Sequence, residues 1–203
     1  MTKSWETIRK EVLAIGFEPP SGYEKQKDAF VSAYNWAQNH IAGVVGCIVD
    51  SITITKTKGE NPQVYDLPQL VKEQLACDFL SLAQTGVVDA ATMQAVETAR
   101  LTDNRFLTLP ADFEGAVKVY FAKSPQPIYS TTAADTLCEL PYKWAMLMPY
   151  YMANRLYMED DAARAGYYWN LAEDMKNDLL AKENAPMVTV TGGENDGWWN
   201  VWE

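Results

Sequence analysis

Residues 103–121 read DNRFLTLPADFEGAVKVYF, and residues 139–180 read ELPYKWAMLMPYYMANRLYMEDDAARAGYYWNLAEDMKNDLL. In the first stretch Val117, Val119 and Phe121 alternate along the chain. That period of two marks a half-buried strand. In the second stretch Trp144, Leu147 or Met148, Tyr151 or Met152, and Arg155 or Leu156 recur three and four residues apart. That is the buried side of a helix. Pro141 suits its first turn, and Pro149 inside it predicts a kink. Glu159-Asp160-Asp161 forms an acidic break, with Asp160 or Asp161 placed to cap the next helix and complement its dipole. Ala165, Tyr168, Ala172, Met175 and Leu179 give that helix its inner stripe. The joint is short, so the two helices form an antiparallel hairpin. Much packing surface and no catalytic constellation point towards assembly rather than chemistry.

Working upstream, a β-meander is expected from 96–101, 105–109 and 116–121, separated by Thr102-Asp103-Asn104 and by Pro110 to Gly115. Ser51-Ile52-Thr53-Ile54-Thr55 alternates and is β-branched, so it reads as a further strand. Lys58 to Pro62 is a turn. Gln69 to Leu82 fits either a continuous helix or a short helix leading into a strand. Trp5, Ile8, Val12 and Ile15 line one helix face, with Ser4 as N-cap and Gly16 as stop. A second helix carries two stripes. One is Tyr23, Phe30, Tyr34, Ala37, Ile41 and Val44; the other is Ala29, Ala33, Trp36 and His40. Two stripes mean contacts on more than one side.

The expected fold is α+β, mainly α. It is a bundle of about four helices (4–16, 22–46, 141–159 and 161–183) with a small antiparallel β-meander, within a β-region at 50–125, inserted between helix 2 and the C-terminal pair. Residues 1–184 form a single domain, and 185–203 a Gly- and Trp-rich docking arm. Trp198, Trp199 and Trp202 are costly to leave in water, so they are expected to bind a partner or dock back on the fold.

The 203 residues carry a net charge of −10, which excludes non-specific DNA binding through the whole surface. Cys47, Cys77 and Cys138 are odd in number and lack metal-ligand spacing, as expected of free thiols in a reducing compartment. No apolar run approaches the ~20 residues of a membrane span, and the N-terminal residues lack the apolar core of a secretion signal. His40 is the single histidine and sits four residues after Trp36, as a packed ring would. No catalytic residue, metal ligand or cofactor is assigned. Two alternatives of other classes stand beside the assembly reading: a metal-dependent hydrolase using Glu159 to Asp161, and a carbohydrate-binding module using the terminal tryptophans.

Several short motifs occur in a fixed order. These are Asn35-Trp36-Ala37, Tyr65 to Pro68, Leu107 to Gly115, Ala122 to Ile128, Glu139-Leu-Pro-Tyr, and Leu156 to Asp161. Together, from about Trp5 to Leu180, they resemble the head-to-tail connector, or adaptor, proteins of tailed bacteriophages. The resemblance implies a structural virion protein at the neck, assembled in the host cytoplasm. It implies a homo-oligomeric ring, of twelve subunits by the portal's symmetry. That ring would bind the portal protein and tail or tail-tube proteins, extend the DNA channel, and touch packaged DNA non-specifically. The C-terminal arm would grip the portal. No membrane contact and no catalytic residue are implied. The alternative nearest to it is another virion structural protein, such as a tail-completion factor.

Overall fold

The computed structural model describes residues 2–16, 23–59 and 61–184. The chain opens with helices α1 (Trp5–Ala14) and α2 (Lys27–Val45). It then runs through β1 (Val49–Lys56), β2 (Gln63–Asp66), α3 (Leu67–Leu75), β3 (Phe79–Asp89), β4 (Arg100–Thr102), β5 (Phe106–Leu109) and β6 (Gly115–Lys123). It closes with α4 (Tyr142–Ala145), α5 (Met148–Tyr157) and α6 (Ala162–Asn184).

Helix α1 starts where Ser4 Oγ accepts a hydrogen bond from the Thr7 amide at 3.2 Å, which satisfies one orphan donor of the first turn. Its Trp5, Ile8 and Val12 are buried. Both stripes of α2 are used within the subunit. Phe30, Tyr34, Ala37 and Ile41 enter the helical core, and Trp36 and His40 face rings on α5 and α6. Ala29 and Val44, expected on those stripes, are exposed instead. The last helix begins as its sequence requires: Asp161 Oδ1 accepts from the Arg164 amide at 3.0 Å. The expected kinked helix over 141–159 is broken into α4 and α5. Pro149 has no N–H to return to the Ala145 carbonyl, so it opens α5 rather than bending a continuous helix.

The β-region differs from the expected meander. β6 lies between β1 and β3 in one antiparallel sheet, and β5 lies between β2 and β4 in another. Consecutive β5 and β6 therefore do not pair. Pro110 ends β5, the Phe113 amide turns back onto the Pro110 carbonyl at 3.2 Å, and Gly115 starts β6 at φ 140°. That backbone angle suits glycine, and it re-aims the chain into a new sheet. Lys56 secures the turn. Its buried Nζ donates to the carbonyls of Ala111 at 3.0 Å, Phe113 at 3.2 Å and Thr57 at 3.3 Å. The expected hairpin from β4 to β5 is present. Asp103 and Asn104 adopt positive φ of 55° and 50°, the tight turn that matches strand twist. The open choice over 69–82 resolves as a short helix, α3, followed by strand β3.

The bundle-with-one-meander expectation is thus overturned. The chain is α+β with two hydrophobic cores. The helical core gathers Trp5, Ile8, Phe30, Tyr34, Trp144, Leu147 and Tyr151 with their neighbours. The second core gathers Ile54, Leu67, Val71, Leu107, Leu109, Val119 and Phe121, with α3 closing it. Sequence periodicity reports which face of each strand is buried; it does not report which strands become neighbours.

The segment after β6 ties the cores together. Ser124 to Ile128 cannot continue the ladder, because Pro125 and Pro127 lack amide donors. Side chains of α2 replace it. Asn35 Oδ1 accepts from the Ile128 amide and Asn35 Nδ2 donates to the Ile128 carbonyl, both at 2.8 Å. Gln38 Nε2 donates to the Gln126 carbonyl at 2.9 Å.

Candidate functional site: apolar patches at the two ends of α1

The 129–142 segment crosses the start of α1. The Trp5 amide donates to the Thr136 carbonyl at 2.8 Å, and the Cys138 amide to the Lys3 carbonyl at 2.8 Å. This crossing uses the backbone; it buries Cys138 and Leu140 and leaves Leu137 and Tyr142 outward. Leu137 is 61% exposed and Tyr142 50%. Lys3 Nζ stands 5.9 Å from the Tyr142 ring centroid.

The other end of α1 is held by two tyrosines. Tyr157 Oη donates to the Gly16 carbonyl at 2.9 Å, and Tyr168 Oη to the Ile15 carbonyl at 2.5 Å. Their rings stack at 5.8 Å. They satisfy carbonyls that the helix end leaves without intrahelical donors. Tyr167 lies edge-on to Tyr168 at 5.2 Å and is 62% exposed. It lines a shallow groove with Ile15, Ala163 and Arg164. Helix α1 has 10 residues, so the two patches are separated by roughly 15 Å along its axis. They differ in composition, and a groove lined by Lys3, Ile15, Met146 and Tyr150 runs between them.

The sequence-proposed site residues fall as follows. Trp198, Trp199 and Trp202 lie outside the described residues. Of the acidic run, Asp161 caps α6 while Glu159 and Asp160 are exposed. Among the described residues no group of three or more His, Cys, Asp or Glu side chains is arranged to hold a metal ion. The three cysteines are free thiols, and burial raises the Cys47 thiol to about 11. No described helix is long and apolar enough to cross a membrane.

His40 is a packed ring. It stacks on Trp36 at 5.3 Å with an 8° interplanar angle, and it meets Tyr151 edge-on at 4.9 Å. The nearby carboxylate is committed: Glu173 accepts from Tyr151 Oη at 2.7 Å and from Lys176 Nζ at 2.5 Å. Burial lowers the His40 pKa from its ordinary 6.5; the Glu173 charge pulls it up, and the Lys176 charge adds to the lowering. The unfolded chain therefore binds more protons than the folded one just below pH 6.5, and stability falls as pH drops through that window. With a single histidine in the chain, the attribution is direct. The His40 Cε1–H resonance should titrate below 6.5. The melting temperature should fall between pH 7 and pH 5, and His40→Gln should flatten that slope. A His40 resonance titrating above 6.5 would refute the packing account.

The sequence did not disclose the patches. Leu137, Tyr142 and Tyr167 look like ordinary apolar positions in the chain, and their exposure comes from how 129–142 and α6 lie against α1. No protein-family model matches this chain, and no curated protein matches it.

Proposed function

We propose that this protein is a structural subunit of a tailed-phage neck, a head-to-tail adaptor that forms a ring beneath the portal. The observation that carries the reading is the pair of unlike apolar patches at opposite ends of α1. A ring closes through heterologous contacts, in which one surface of each subunit meets a different surface of the next. Tyr142 with Leu137 and Tyr167 with Ile15 supply two such surfaces. Aromatic anchors of this type dominate interface energetics.

Two further features support it. The Asn35 element and the Pro125-Gln126-Pro127-Ile128 element, quoted separately for the resemblance, are direct hydrogen-bond partners. The net charge of −10 suits a wall that packaged DNA slides past without adhering. The double stripe of α2 is largely consumed by contacts within the subunit, which leaves the ends of α1 as the surfaces for neighbours.

The test mixes the purified chain with a tailed-phage portal protein from the same source and reads masses by mass photometry, with negative-stain images. The expected result is a monomer alone and a ring of subunits on portal. A monomer indifferent to portal would remove the reading.

A further inference from the structure

Strand β1 lies at one edge of its sheet. Its 8 residues pair with β6 in unbroken register, from Val49 opposite Ala122 to Lys56 opposite Gly115. The Lys123 amide donates to the Ile48 carbonyl at 2.9 Å, and hydrogen-bonded and non-hydrogen-bonded pairs alternate along an antiparallel ladder. Asp50, Ile52, Ile54 and Lys56 therefore bond to β6, and Val49, Ser51, Thr53 and Thr55 turn their backbone groups to the open side. Thr53 and Thr55 are exposed, and among the described residues nothing pairs with their amides. The other edges are capped or short. On β3 the Asp89 amide donates to the Gln94 carbonyl at 2.8 Å, the Val87 carbonyl accepts from the Val96 amide at 3.2 Å, and the register breaks between Leu82 and Val87. In the second sheet β2 has 4 residues and β4 has 3. A long, regular, open edge is a template for another strand.

We propose that β1 pairs with β1 of a second copy of this chain, antiparallel, about a two-fold axis at Thr53. The strand is complementary to itself in that register. Ser51 stands opposite Thr55 of the second copy, and Thr53 opposite its own equivalent, so the outward amides and carbonyls meet. Their side chains share one face of the sheet, where Thr–Thr and Thr–Ser pairs stabilise neighbouring strands. On the other face Ile52 meets Ile54, and Asp50 meets Lys56. Opposite charges directly across a strand pair stabilise it. Sliding the register by two or four residues in either direction sets Asp50 or Lys56 against Ile52 or Ile54 and loses that match. In the single subunit Asp50 Oδ1 holds the Ser51 amide at 2.8 Å, and Asp50 Oδ2 holds Lys123 Nζ at 2.9 Å. Pairing passes the Ser51 amide to the Thr55 carbonyl of the second copy and leaves the Lys123 bond in place.

This contact does not rest on the neck reading. It is isologous, so it cannot close a ring, and it uses none of the residues assigned to the ring. One strand pair is a small interface, and small interfaces are transient. The dimer therefore forms at micromolar concentration and above, and is absent at the dilution of mass photometry.

Analytical ultracentrifugation of the full chain, from micromolar to millimolar concentration, tests it. The expected result is reversible dimerisation of the natural chain. Thr53→Lys and Thr53→Asp each set like charges across the two-fold axis, and each should weaken the dimer at least ~10-fold, about 1.4 kcal/mol. An equimolar mixture of the two variants should dimerise again, because opposite charges then meet. Hydrogen exchange on the natural chain gives a reading without substitution. The amides of Ser51, Thr53 and Thr55 should gain protection as concentration rises, while those of Ile52 and Ile54 stay unchanged. A monomer throughout the range would overturn the proposal. So would a dimer that survives both Thr53 variants, or a mixture no more associated than its parts. A dimer lost in Tyr167→Glu would also overturn it, and would assign the contact to the ring surfaces instead.

Discussion

Trp144→Ala should lower unfolding free energy by about 3–5 kcal/mol, the cost of emptying a large aromatic site in a close-packed core. Trp144 is 1% exposed and among the largest fully buried side chains. It sits in α4, at the point where Pro149 has broken the helical run, so little local structure would hold α4 in place without it. Domains are stable by about 5–15 kcal/mol, and the loss is a large share of that. The companion variant is Phe121→Ala in the β-core, where Phe121 is fully buried on β6 and stacks with Phe79 at 5.6 Å. Both variants should move the same single transition. The cores are joined by continuous backbone from α2 into β1 and from β6 into the Ser124–Ile128 strap, and Asn35 and Gln38 of α2 hold that strap. Gly46 at the end of α2 also sits over Ala122 of β6, where an added Cβ would lie 3.7 Å from the Ala122 Cβ. Calorimetry with far-ultraviolet circular dichroism reads the outcome. Two separable transitions, each moved by only one of the variants, would show that the strap does not couple the cores.

Local signals were legible in the sequence where one residue decides the structure by itself. Ser4 and Asp161 cap helices because a short side-chain oxygen reaches an orphan amide. Asp103-Asn104 turns a hairpin because both residues tolerate positive φ. The buried faces of α1, α5 and β6 followed from period. The partition of six strands into two sheets was not legible. It depends on a turn at 110–115 that Lys56 stabilises from 55 residues away along the chain, and a lysine in a strand reads as a solvated residue until its carbonyl partners are seen. The double stripe of α2 was legible, but its meaning was not: an apolar stripe announces a contact without saying whether the partner is inside the subunit or beyond it. The patch residues failed for the converse reason. Leu137 lies in a segment with no regular period, so nothing in the sequence tells its outward side from its inward side.

Leu137→Glu with Tyr142→Glu, and separately Tyr167→Glu, should each abolish ring formation on portal while leaving the fold unchanged. All three positions are at least half exposed, and substitutions at such sites usually change stability by less than about 0.5 kcal/mol. At an interface the same carboxylate would be buried without a partner, which costs far more than the apolar contact it replaces. A loss of at least ~100-fold in subunit–subunit affinity is expected, about 2.7 kcal/mol. The two variants should not behave as equivalents when combined. In a heterologous ring the first variant keeps an intact Tyr167 surface and the second keeps an intact Tyr142 surface. Mixed in equal amounts with portal, they should form pairs of subunits through the one undamaged interface, and chains should stop there because each pair ends in two blocked surfaces. Mass photometry of the cross-linked mixture should show doublets absent from either variant alone. A mixture that matches the sum of its parts would mean that these surfaces do not meet, and the ring geometry proposed from the ends of α1 would have to be abandoned.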